Sequence, residues 1–324
     1  MEKKEMKKEN AVIEYFKSGG GGVLIALIVM IVGMSIFKRE SFLTVLNITN
    51  LVKQIATNAL LAFALTYCLT TGFVDLSVGS HVALAGCVVV TLINMGVPVW
   101  LAILIVLIIG LIVGGTNGVI FAYTGMPAYV ITLAMQNVLR GAAYLMNDGA
   151  TISCRSEAFF AYANNRLFGI IPYPLLIIVG VGIILHIIMS RTVFGRHMYA
   201  VGGNQATAIY SGVNVKRVRV VVYTISGLLA ALAGTITASR VFSGQPTVGV
   251  GFEGEAIAAA VLGGTSFTGG KGTIPGTIIG ILVMGVMSNA MNLLEISYYW
   301  QLVVKGLVIL IAVYADTVKR AKVK

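Results

Sequence analysis

Charge is scarce in this sequence. Of 324 residues, 11% are Asp, Glu, Lys or Arg, against roughly 25% in soluble globular chains. The deficit is concentrated: from Leu76 to Leu139 there is no formal charge at all. Cysteine is equally sparse, with three residues, of which Cys68 and Cys87 lie in apolar runs and Cys154 in a polar loop. That excludes a disulfide framework and any CxxC metal spacing, and all three read as packing residues. His186 has no second His or Cys at ligand spacing, which argues against a metal site. Nothing pairs a nucleophile with a base and an orienting group, which argues against an embedded hydrolase.

What is present is apolar: 57% hydrophobic residues and a mean hydropathy of +0.92. This composition predicts an all-α polytopic membrane protein. The net charge of +11 could suit nucleic acid, but nine basic residues lie in the terminal tails and five in the stretch 191–219. Membrane orientation explains that distribution better.

Taken in order, the N-terminal stretch 1–20 mixes Lys with Glu, so it reads as a cytoplasmic tail rather than a cleavable signal. Residues 21–37 are uncharged and long enough for a first span, since a crossing takes about 20 residues. A second span is predicted over 51–72. The charge-free run is cut at Gly96-Val97-Pro98 and Gly125-Met126-Pro127, giving spans near 76–95, 99–122 and 128–146. Residues 147–169 form a loop of mixed charge, and Pro172 opens a sixth span ending at Ser190. After the basic loop come a seventh span over 220–239, a short segment led by Glu253 that is partial or broken, and spans over 273–294 and 297–315. The total is about ten spans, with a transmembrane domain over 21–316 and a cytoplasmic tail over 317–324. Basic termini and a basic central loop place all three in the cytoplasm. Six spans before that loop and four after it fit such an arrangement.

Carboxylates at membrane depth demand a reason. Asp75 lies in GFVDLSVGS, and Glu253 and Glu255 in VGVGFEGEAIAAAVLGG. Each follows glycine and precedes small residues, so the favoured reading is a cap on the next helix, with substrate contact as the alternative. The count puts Asp75 on the cytoplasmic side and Glu253 on the outer side. Spans 2–5 and 7–10 then form inverted repeats, each with a helix interrupted at a glycine-acid break, an arrangement recurrent in transporters. Phe73, Glu253 and Glu255 are the candidate helix-break or gating residues. Asp75, Asn117, Gln136, Asn137, Asn289 and Asn292 are the groups available to line a hydrophilic path, although interhelical hydrogen bonding is the commoner use of such residues.

GGTSFTGGKGT over 263–273 is not a Walker A loop: Thr265 stands where the first Gly belongs, and Gly272 where Ser or Thr would hold magnesium. It reads as a tight turn at the cytoplasmic surface. Gly110 with Gly114, and Gly276 with Gly280, have the spacing that lets helices approach closely. In the basic loop, RTVFGRHMYAVGGNQATAIYSGVNVKRVR, Gly202-Gly203 and Gly212 bound a stretch Gln205 to Tyr210. It suits a short surface helix inserted into a groove on a partner.

FGRHMYAVGGNQATAIYSGVNVKRVR, EAIAAAVLGGTSFTGGKGTIPGTIIGILVMGVMSNAMNLL and DLSVGS together closely resemble the ribose-type permeases of binding-protein-dependent ABC importers, over about residues 47–316. The resemblance implies a non-catalytic translocation subunit in the bacterial inner membrane. It implies a second permease subunit, a cytoplasmic ABC ATPase and an extracytoplasmic sugar-binding protein as partners, with no nucleic acid. It implies that ATP and Mg sit on the ATPase, and that this chain binds no cofactor. It assigns Gly195, Arg196, Tyr199, Gly202, Gly203, Asn204, Ala208 and Gly212 to an ATPase-coupling region. Phe73, Gly254 and Glu255 depart from the family's usual glycine, leucine and aspartate. The rival reading is a stand-alone ion-coupled carrier of a small polar solute, disfavoured by the few titratable groups at mid-depth.

Overall fold

The structure, a computed structural model, describes residues 20–321. The N-terminal tail before Gly20 and the last three residues lie outside the described residues.

The chain is helical almost throughout. In order it forms α1 (Gly20–Phe37), α2 (Arg39–Phe42), α3 (Val45–Thr70), α4 (Val78–Asn94), α5 (Val99–Thr124) and α6 (Ala128–Leu145). The segment between α6 and the next long helix holds β1 (Ile152–Ser153), α7 (Glu157–Asn164), β2 (Arg166–Leu167) and β3 (Ile171–Pro172). Then follow α8 (Tyr173–Arg191), α9 (Val193–Gly203), α10 (Gln205–Tyr210), α11 (Val215–Val241), β4 (Ser243–Gly244), α12 (Phe252–Leu262), α13 (Ile274–Leu293) and α14 (Tyr298–Ala321). Six of these, α3, α5, α8, α11, α13 and the bulk of α14, are long and apolar enough to cross a membrane. Gly21–Phe37 and Val78–Asn94 are apolar but shorter.

Local chemistry sets the boundaries. Gly125, at φ 72°, ends α5 in a left-handed turn, and Pro127 precedes α6. Thr44 caps α3 by accepting from Asn47 N at 3.2 Å. The basic loop is cut by three such caps in succession: Thr192 accepts from Gly195 N, Asn204 from Thr207 N and Asn214 from Arg217 N, at 3.2, 3.0 and 3.0 Å. The third starts α11 at Val215, five residues before the expected span, so the helix carries Lys216, Arg217 and Arg219 out of the apolar zone.

α3, α11 and α13 are the most buried of the six long apolar helices, and the other helices pack around them. Small residues let backbones touch. A Cβ on Gly114 would meet Tyr223 O and Gly227 Cα, and one on Gly280 would meet Ala259 O. Both GxxxG pairs are therefore close-approach seams, of α5 on α11 and of α13 on α12. β1 pairs antiparallel with β4, tying the 147–169 loop to the far end of α11.

The span count puts the breaks at 71–77 and 245–251 on opposite membrane faces, and the two touch: Gly79 in the first turn of α4 abuts Gly249, where φ is 81° and a Cβ would strike Gly79 O. Both breaks fold inward, so the N-terminal ends of α4 and α12 meet. α12 has 11 residues, about 16 Å of helix, half of a hydrocarbon core of about 30 Å.

Candidate functional site

Two regions carry the sequence-selected residues. The first is a plate built from α9, α10, the end of α3 and the turn 263–273. Gly270 N donates to Thr70 O at 2.8 Å, and Tyr199 Oη donates to Gly272 O at 2.7 Å. Burial pushes the Tyr199 hydroxyl above its ordinary value of 10.0, so it remains a donor at neutral pH. Gly202 lies where any Cβ would strike Thr70 O and Gly270 N, so the glycine is required for α9 to seat on the turn. Gly195 is fixed likewise against Met189 O. Asp316 on α14 accepts from Ser266 Oγ at 3.0 Å and Phe267 N at 3.1 Å, anchoring the turn from the other side.

On this plate Ala208 is buried, while Arg196, Gly203, Asn204 and Gly212 are exposed. Gly203 has open space around it. Ile209 and Tyr210 stand 53% and 91% exposed at the end of α10. An exposed aromatic and aliphatic pair on a braced helix beside basic residues is what a protein-docking knob requires.

The second region is the meeting point of α4 and α12. Asp75 is buried, and its Oδ1 accepts from Ser77 N at 3.0 Å and Ser77 Oγ at 2.6 Å, while its Oδ2 accepts from Ser226 Oγ at 2.7 Å. Asn117 Nδ2 donates to Ser77 Oγ at 3.1 Å. Asp75 thus closes a turn onto Ser77, the N-cap residue of α4, without capping the helix amides themselves, and also ties the break to α11. Across the meeting point the Glu253 carboxylate lies against Gly79, with Gln136 and Arg140 of α6 beside it. Arg140 Nη1 donates to Val248 O at 2.6 Å and also to Pro246 O, holding the second break. Ser80 Oγ, His81 Nε2, Asn117 Oδ1 and Glu253 Oε2 are buried and have no hydrogen-bond partner among the described residues. Unspent polar groups gathered where two half-helices begin suit a polar solute in passage.

Glu253 and Glu255 sit in the first turn of α12, at the positive end of its dipole, and the Glu253 carboxylate takes backbone hydrogen bonds at Gly251 and Glu253, as the cap reading expects. Glu255 instead accepts from Lys305 Nζ at 2.7 Å and from Asn58 Nδ2 at 2.8 Å, joining α12 to α14 and α3. Phe73 does lie in the non-helical break. The six path candidates separate. Asp75 and Asn117 come together through Ser77 and Gln136 bonds Glu253, whereas Asn137 is exposed and bonds within its own helix to Leu133 O. Asn289 exchanges amide hydrogen bonds with Asn47 at 2.8 and 3.2 Å, and Asn292 accepts from Gln301 at 2.9 Å. Sequence reasoning passed over Ser80, His81 and Ser226. The small polar residues after DLSVG were the available signal.

A bundle of apolar helices in which the starts of α4 and the short α12 meet beside buried polar groups suits a polytopic membrane transport protein. The chain belongs to the family described as branched-chain amino acid transport system, permease component, which it matches over residues 47–313. It is 44% identical to the ribose import permease protein RbsC of Bacillus subtilis over 302 residues, 93% of each chain. It is 42% identical to RbsC of Haemophilus influenzae, covering 90% of this chain and 91% of the relative. With the L-arabinose transport system permease protein AraH of Escherichia coli it shares 38% identity over 92% and 90% of the two chains. No solved structure matches it. The chain is a transport permease of this family and not a stand-alone ion-coupled carrier.

Proposed function

We propose that this chain is the membrane-spanning subunit of an ATP-driven ABC importer in the bacterial inner membrane, moving a monosaccharide delivered by an extracytoplasmic binding protein. The ribose and arabinose permeases among its relatives support a pentose or similar sugar. The single observation that carries the coupling role is α10 itself: a braced helix with Ile209 and Tyr210 turned outward on a basic surface. A cytoplasmic ATPase, carrying ATP and Mg, docks there, with Gly195, Arg196, Tyr199, Gly202, Gly203, Asn204, Ala208 and Gly212 forming the coupling region within 191–219. A second permease subunit completes the pathway.

In this reading ten helices enter the membrane over 21–316, with both termini cytoplasmic, and α3–α6 and α11–α14 are inverted repeats. Matching packing supports the repeat: α3 lies on α13 as α11 lies on α5, α12 on α3 as α4 on α11, and α12 on α14 as α4 on α6. Asp75, Asn117, Gln136 and Glu253 line the path near mid-depth, and the two breaks move as the halves rock.

Copurification with the cognate ATPase tests the docking role. Gly203→Trp fits open space in this chain, so it is expected to leave thermal unfolding unchanged while abolishing ATPase retention. Tyr210→Ala is expected to weaken retention by about 2 kcal/mol, as loss of an aromatic anchor does. Full retention by both variants places the ATPase elsewhere.

A further inference from the structure

A single side chain bridges the docking helix and the 71–77 break. Arg219, in the second turn of α11, donates from Nη2 to Gln205 Oε1 on α10 at 2.9 Å. Its guanidinium carbon lies 4.2 Å from the Phe121 ring centroid and 5.1 Å from that of Phe73. Phe73 stands edge-on to Phe121 at 4.5 Å, and Phe121 edge-on to Tyr223 at 5.7 Å. The Tyr223 hydroxyl then donates to Val74 O at 2.8 Å, one residue before Asp75. A continuous set of contacts therefore runs from the exposed α10 to the buried Asp75, Ser77, Asn117 and Ser226 cluster. It passes through a half-buried guanidinium whose Nε has no partner among the described residues.

The chemistry favours transmission over simple bracing. A planar guanidinium can hold an in-plane hydrogen bond and stack on rings at once, which an ammonium cannot. Stacking is weakly directional, so the ring pair can slide while remaining in contact, whereas the Gln205 bond fixes the other end.

We propose that Arg219 is the positioning residue that conveys displacement of α10 to the 71–77 break, with Phe73 as its receiver. Loading of α10 then shifts Phe73, and with it the backbone that holds Asp75 against Ser226. This rests on the importer reading above, in which a nucleotide-hydrolysing partner pushes α10.

The test uses the complete transporter in proteoliposomes, with ribose as the probe, and reads ATP hydrolysed per sugar moved alongside the amount of ATPase retained. Arg219→Lys and Phe73→Leu are each expected to raise that ratio roughly tenfold with ATPase retention unchanged. The double variant is expected to match the worse single variant, because both cut one link. Phe73→Trp, which keeps a ring, is expected to behave as wild type. Gln205→Ala, on the exposed surface, cuts the same link from the other end without burdening the fold, and is expected to raise the ratio too. An unchanged ratio in Arg219→Lys and Gln205→Ala, a multiplicative double variant, or losses that follow ATPase retention would overturn the proposal. Failure of the wild type to show ATP-dependent uptake would instead refute the importer reading.

Discussion

Lys305 and Glu255 sit 2.7 Å apart with side chains 16% and 15% exposed, and their pairing joins α14 to α12. Removing one partner leaves a charge with no counter-ion in a place poor in water. Glu255→Gln or Lys305→Met alone is expected to lower stability by about 3 kcal/mol, read as a fall in unfolding temperature of the purified protein in detergent. Combining the two should recover much of the loss, and a double variant no better than either single would show that the charges do not matter to each other. Glu255 stands out in the sequence as a cap candidate at membrane depth. Its partnership with Lys305 does not, because 50 positions separate them and nothing in local spacing links one to the other. Asp75 was more legible: its turn chemistry with Ser77 is local, and only the bond to Ser226 required the fold.

Helices and their ends were largely readable, since they depend on neighbouring residues. Proline and glycine cut the charge-free run within two residues of the observed ends of α5 and α6. A short helix falls at Gln205–Tyr210, as its flanking glycines suggest. The placement of the two breaks was not readable. Counting spans assigns each to a membrane face, but depth depends on where α4 and α12 begin. That start is set by the contact of Gly79 with Gly249, a tertiary event. The seam of α5 on α11 is the matching test at this scale. Gly114→Leu must force Tyr223 O and Gly227 apart, and is expected to destabilise the protein by about 1–3 kcal/mol or more. Gly141→Leu is the control, because a side chain there meets nothing within 4 Å. Equal unfolding temperatures for the two variants would contradict the seam.

Across the whole molecule, one end carries a braced plate with an exposed Ile209 and Tyr210, and the middle holds the buried polar groups around Asp75 and Glu253. The plate of α9, α10 and the 263–273 turn is cross-braced by hydrogen bonds, while the centre is closed by the contact of Gly79 with Gly249 and a few hydroxyl bonds to Asp75. Such a division suits a protein that receives force at one end and yields at the other. The central claim is therefore about the source of energy. The most direct measurement is ribose uptake into proteoliposomes containing this chain, with and without its ATPase and binding protein. The account predicts uptake that requires all three components and ATP, and that is indifferent to proton or sodium gradients. Uptake by this chain alone, driven by an ion gradient, would contradict it.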